Sequence, residues 1–155
     1  MRTLENRLPP PIVASLFGLL MWPAACYVPG LDLAYSVRVL VLVALLVLAI
    51  GVFFSVAGVL SFRQAQTTVN PLKPETASAL VRSGIYQYSR NPMYVGFALL
   101  LLAWACYLAS PFALLGVLGF VLYMNRFQIS PEERALTILF GNEYQAYQAQ
   151  VRRWL

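Results

Sequence analysis

The chain has 155 residues, of which 60% are hydrophobic and 11% charged, with a net charge of +5 and no histidine. A soluble domain normally carries about 25% charge, and one small core cannot hide this much apolar surface, so a bilayer is the expected solvent. The absence of histidine excludes a histidine-ligated metal and a histidine general base.

The first charge-free stretch is Leu8–Leu31, preceded by Arg2 and Arg7. Ala24-Ala25-Cys26 resembles a lipoprotein cleavage site, but Pro23 stands where leucine is wanted and the apolar run is too long for a signal core. A retained helix over about 11–29 is expected, with Pro11 at its first position and Trp22 and Tyr27 at the membrane interface. The second stretch, Val39–Phe62, is rich in Val and Leu. It predicts a span over about 37–61, with Gly51, Ser55 and Gly58 forming a small-residue face for helix contact. Cys26 and Cys106 fall in different apolar runs without metal spacing, which predicts buried inert thiols.

Residues 63–90 form a polar connection. Thr67, Thr68, Asn70, Pro71 and Pro74 favour turns, and Ala77–Arg82 predicts one or two helical turns ended by Gly84. The third charge-free stretch, Asn91–Asn125, holds 35 residues with Ser110-Pro111 near its middle. It makes about 52 Å of helix at ~1.5 Å per residue, less than two bilayer crossings of about 30 Å each. We expect a short hairpin with spans over about 91–109 and 111–128. After it, Ser130, Pro131 and Glu133 match a capping box at a new helix. Gly141 ends that helix, and Asn142 caps the next. Leu136, Leu139 and Phe140 mark one apolar face, and Tyr144, Tyr147 and Val151 another.

The expected fold is therefore all-α: a single polytopic membrane domain over 1–155, with about four transmembrane helices and short C-terminal amphipathic helices. Basic residues crowd one side. Arg2 and Arg7, then Arg63, Lys73, Arg82 and Arg90, then Arg126, Arg134, Arg152 and Arg153 alternate with the spans, leaving Arg38 on the other side. The positive-inside rule places both ends of the chain and the middle loop in the cytoplasm. No basic stripe with interleaved aromatics points to nucleic acid.

Several polar residues collect at that side, and each has two explanations. Arg90 and Arg126 flank the hairpin, where arginines either serve a site or snorkel to headgroups. Glu132 and Glu133 either cap a helix or meet a cation. Tyr86, Tyr88, Tyr94, Tyr144 and Tyr147 either anchor at the interface or wall a cation site.

Taken together, Arg90-Asn91-Pro92-x-Tyr94-x-Gly96, followed by Glu132, Glu133, Leu136, Phe140, Gly141, Tyr144 and Tyr147, resembles the integral-membrane methyltransferases. That family includes isoprenylcysteine carboxyl methyltransferases and phospholipid N-methyltransferases, and the ending Val151–Leu155 looks like its bacterial members. The resemblance covers about Thr67–Leu155. It implies S-adenosylmethionine as methyl donor, held by elements over about 84–96 and 126–155, and a bacterial inner-membrane location. Cofactor-binding residues would be Tyr88, Arg90, Asn91, Pro92, Tyr94, Gly96, Glu132, Glu133, Tyr144, Tyr147 and Arg153, with Arg126 and Glu133 catalytic. A glutamate can take the donor's ammonium, an arginine its carboxylate, and tyrosine faces its sulfonium. Methyl transfer needs alignment more than acid–base chemistry, so neither histidine nor metal is required. Prenylcysteine methyltransferases carry His where this chain has Asn91, so the implied acceptor is a broader class: a lipophilic or small molecule, membrane lipid included, offering a carboxylate, amine or thiol. The alternatives are an NADPH-dependent membrane reductase of the sterol-reductase type and a non-catalytic four-helix membrane protein.

Overall fold

The computed structural model describes residues 5–27, 37–65 and 78–155, and among them there is no strand. Helix α1 spans Pro10–Tyr27, α2 Val37–Gln64, α3 Pro92–Tyr107, α4 Ala113–Tyr123, α5 Ser130–Phe140 and α6 Asn142–Gln150. A 3-10 turn over Gly84–Gln87 leads into α3, and a π-helical segment over Met124–Ile129 joins α4 to α5. Two stretches, Val37–Gln64 and Ala113–Phe140, are long and apolar enough to cross a membrane; α1 and α3 are apolar but shorter.

Helix α1 begins one residue before the expected Pro11. Pro10 is already helical and buried, and Pro9 accepts the N–H groups of Ile12 at 2.9 Å and Val13 at 3.2 Å. Proline suits this position because its missing amide would be unpaired anyway. The face of α1 bearing Val13, Phe17 and Met21 packs on α4, where Phe17 meets Phe120 edge-on at 6.2 Å. The indole Nε1 of Trp104 on α3 donates to Gly18 O at 3.1 Å, tying α1 to α3. Trp22 stacks on Trp104 at 6.1 Å.

The small-residue face of α2 is a helix contact, as its spacing predicts. Its partner is Gly96 on α3. A β-carbon on Gly96 would stand 2.1 Å from Ser55 Oγ and 2.7 Å from Gly51 O, so the two backbones meet there. The opposite side of α2 leaves Leu42, Leu45, Leu46 and Phe53 exposed on the protein surface. An apolar face this long marks a membrane-facing helix rather than a soluble surface. Cys26 is likewise exposed rather than buried, and Cys106 is half-buried, because the helices present these positions outward.

The hairpin turns at Ser110-Pro111 as expected, with Ala113 N–H donating to Ser110 O at 3.1 Å. Helix α3 has 16 residues, about 24 Å at ~1.5 Å each, which matches the predicted shortness of the hairpin.

Three expectations after and before the hairpin are corrected. Residues 78–82 form no helix; Ala77 lies outside the described residues, as do Thr67 to Pro74. Leu80 and Val81 lie inward instead, with Leu80 against Tyr144 and Tyr147, so tertiary packing overrides a weak local preference. Gly84 accordingly opens the 3-10 turn rather than ending a helix. Second, Ser130 does not cap a new helix: its φ of −61° and ψ of −42° are helical, and the backbone runs on from α4. Pro131 has no N–H to give to Phe127 O four residues back, and Asn6 N–H takes that carbonyl at 3.1 Å. Ser130 turns both its N–H and its hydroxyl, the latter at 2.7 Å, to Asn125 O, which widens the helix into the π segment. Third, Gly141, not Asn142, stands at the start of α6; its φ of 49° and ψ of −123° suit glycine and turn the chain between α5 and α6. Leu139 faces outward, whereas Leu136 and Phe140 pack on Tyr144, Tyr147 and Val151.

Candidate functional site

The polar residues of the sequence motifs meet at the end of the bundle where α3 begins and α5 leaves α4. Segment 151–154 threads back to hold them there. Arg90 N–H donates to Arg152 O at 3.0 Å, and Asn91 Nδ2 donates to Arg153 O at 2.8 Å. Trp154 Nε1 donates to Asn125 Oδ1 at 3.0 Å, fixing the segment to the π turn. Ser89, fully buried, accepts Asn91 N–H at 3.1 Å and shapes the entry to α3, which Pro92 then starts.

The centre of this arrangement is Glu133. Arg153 donates to it twice, Nε to Oε1 at 3.1 Å and Nη2 to Oε2 at 2.5 Å. Arg90 Nη1 lies 3.1 Å from Oε1. The Arg90 approach is electrostatic without hydrogen-bond alignment: its Nε and Nη1 are buried and have no hydrogen-bond partner. The side chains of Arg90 and Glu133 are 12% and 14% exposed. Two guanidiniums around one carboxylate leave an excess positive charge in a mostly dry place, with donors to spare.

Glu132 faces different partners. Its Oε1 accepts from Tyr94 Oη at 2.6 Å and from Gln128 Nε2 at 2.8 Å. The adjacent glutamates thus hold two separate networks, one cationic and one neutral. Tyr144 and Tyr147 close the side of the site. Burial, and next the Glu133 charge, push the Tyr144 phenol up to about 12, with Arg90 opposing. Burial first raises the Tyr147 phenol too. Both are protonated donors at neutral pH, and Tyr147 Oη donates to Tyr86 O at 2.6 Å. A surface concavity of about 510 Å³ opens beside Glu133, lined by Ser130, Arg134, Thr137 and Ile138.

Of the residues singled out in the sequence, Arg90, Asn91, Pro92, Tyr94, Glu132, Glu133, Tyr144, Tyr147 and Arg153 come together here. Tyr88 is 71% exposed and takes no part in these contacts. The space beside Gly96 is filled by α2. Arg126 turns to the chain's beginning, where Glu5 accepts from its Nη1 at 3.0 Å. Sequence reasoning missed Ser89, Gln128 and Asn125. Gln128 had one readable signal, its place four residues before Glu132 and so on the same helix face. Among the described residues no group of His, Cys, Asp and Glu is arranged to hold a metal.

A helical, membrane-associated chain with this polar end fits one class in the comparisons, the membrane methyltransferases. The chain belongs to the phospholipid methyltransferase family, whose model matches residues 39–143. The match starts earlier than the sequence motifs indicate, taking in α2, and stops before Arg153. An uncharacterized protein of Haemophilus influenzae is 49% identical over 63 residues, which are 41% of this chain and 100% of that relative. No solved structure matches.

Proposed function

We propose that this protein transfers a methyl group from S-adenosylmethionine to a lipophilic or small acceptor at the cytoplasmic face of a bacterial inner membrane. In this reading the chain is one domain crossing the bilayer four times, with the shorter α1 and α3 packed against the two long stretches and both chain ends in the cytoplasm. The observation that carries the proposal is Arg90, whose buried Nε and Nη1 make no aligned hydrogen bond, beside a cluster with excess positive charge. Such a place accepts a carboxylate, and the donor has one.

The side chains gathered at this end of the bundle fit that cofactor. Bound there, S-adenosylmethionine supplies a sulfonium methyl for in-line displacement, leaving a neutral thioether. Arg90 binds the carboxylate end. Glu133, paired with Arg153 and Arg90, and Glu132, held by Tyr94 and Gln128, offer oxygens to an ammonium. Asn91 and Arg153 position the entry of α3 against segment 151–154, and Pro92 directs α3 away from it. Tyr144 and Tyr147 present aromatic faces suited to a cation and exclude water. The catalytic role assigned to Arg126 requires it to leave Glu5. The acceptor, with a carboxylate, amine or thiol, enters from the bilayer side.

Incubating the reconstituted protein with methyl-labelled S-adenosylmethionine and a membrane extract tests the reading. Label should enter the lipid or small-acceptor fraction with wild type and fall sharply with Glu133→Gln. Equal labelling with boiled protein contradicts it.

A further inference from the structure

The segment before α1 lies across the outer side of the π turn as a strap. Its Glu5 is gripped from two directions: Arg126 Nη1 reaches Oε1 at 3.0 Å, and Arg134 Nη2 reaches Oε2 at 2.5 Å. Arg126 lies within the π segment and Arg134 in the first half of α5, and both reach the same carboxylate. Both are about half exposed, whereas the Glu5 side chain is only 13% exposed. One backbone bond, Asn6 N–H to Phe127 O, fastens the strap to the carbonyl that Pro131 leaves free.

The attachment carries its own costs. Asn6 has a φ of 53°, in the left-handed region, and its Oδ1 is buried with no hydrogen-bond partner. A buried acceptor without a partner favours release of the segment that carries it. Lifting the strap rehydrates that amide and uncovers two adjacent guanidiniums, whose planar forks match phosphate oxygens as well as they match a carboxylate. Arg134 also lines the concavity beside Glu133, so the uncovered pair borders the site already described.

We propose that Arg126 and Arg134 form a phosphate-binding site that Glu5 occupies in the closed state, and that a phosphate group displaces the Glu5 strap. The ligand chemistry is a phosphate that keeps its net negative charge, either the phosphodiester of an anionic lipid headgroup at the membrane surface or a phosphate ion from solution; in a zwitterionic phosphatidylcholine headgroup the choline ammonium offsets that charge. Binding would move Arg126 from Glu5 to the phosphate, so that its catalytic role would be exercised toward a phosphate-bearing ligand. That consequence rests on the methyltransferase reading; the binding and release do not.

The test is amide hydrogen exchange on the full chain in nanodiscs, without methyl donor, so its outcome is independent of whether the chain transfers methyl groups. Protection of Asn6 is compared in phosphatidylcholine discs, in discs containing phosphatidylglycerol, and in phosphatidylcholine discs with inorganic phosphate or with sodium chloride of matched ionic strength. Exchange at Asn6 should rise about tenfold with phosphatidylglycerol relative to phosphatidylcholine and stay low with chloride. Glu5→Gln should show the fast rate in every condition, and Arg134→Gln should lose the dependence on phosphatidylglycerol. Release by inorganic phosphate alone supports the site and assigns its ligand to solution. Equal exchange in all four conditions for wild type, or equal release by chloride, overturns the proposal.

Discussion

Arg153 and Glu133 form a two-point ion pair, Nε to Oε1 and Nη2 to Oε2, across 20 residues of chain. This pair fastens segment 151–154 to α5, while the Arg153 carbonyl takes the side chain of Asn91 at the start of α3. Three separate parts of the sequence therefore converge through one arginine.

Removing the carboxylate leaves two guanidiniums facing each other. Glu133→Gln should lower stability by about 3 kcal/mol, the lower end of the range for breaking a buried pair because Arg153 is partly exposed. Thermal unfolding in detergent reads this directly. An unchanged transition would mean that the cluster holds nothing together.

The contact of α2 with α3 should tolerate no side chain at its closest point. Gly96→Ala forces a β-carbon into Ser55 and the Gly51 carbonyl, and should cost about 1–3 kcal/mol. Gly18→Ala meets only Leu101 Cδ2 at 3.5 Å and gains helix propensity, so it should be neutral or stabilising. Unfolding midpoints of the two variants, measured side by side, check the contrast.

The indole of Trp154 anchors segment 151–154 to the π turn. Trp154→Phe keeps an aromatic ring, smaller than the indole, and deletes the donor to Asn125 Oδ1, a loss that should cost about 1 kcal/mol. It should also loosen Arg153 and weaken binding of S-adenosylmethionine several-fold. Calorimetry on the variant would contradict the anchoring role if donor affinity were unchanged.

The Glu5 strap has a defined pH response. The hydrogen bond from Arg126 first, and the charges of Arg134 and Arg126, hold the Glu5 carboxyl below its ordinary value of 4.5. A depressed folded-state value means that the stabilisation is fully present above that ordinary value and is lost as pH falls through the folded one. Exchange protection of Asn6, corrected for the intrinsic rate, should be flat from pH 8 to about 5 and decline below about 4. A decline beginning near pH 6 would show that another group governs the strap.

Features legible in the sequence were local ones. The Gly51, Ser55 and Gly58 face, the Ser110-Pro111 turn and the break at Gly141 each follow from a few adjacent residues, and so does the all-helical character. The Ser130-Pro131-x-Glu133 pattern was equally local and misled. It is a sound capping signature, but Asn6 supplies a donor to Phe127 O from far upstream, and Glu133 is drawn to Arg90 and Arg153 instead. The same limit applies to the site. The motifs brought most of its residues into view, yet nothing near Arg126 indicates that its partner is Glu5, 121 residues away. Ser89 reads as an ordinary polar residue until packing buries it, and only its spacing to Glu132 sets the equally buried Gln128 apart.

Calorimetric titration of S-adenosylmethionine into the protein in detergent decides whether the cluster around Arg90 holds the methyl donor. One donor should bind per chain, and Arg90→Gln should weaken binding at least tenfold while leaving the helical circular dichroism signal in place. No heat of binding to folded wild-type protein, or the same affinity in Arg90→Gln, would contradict the account.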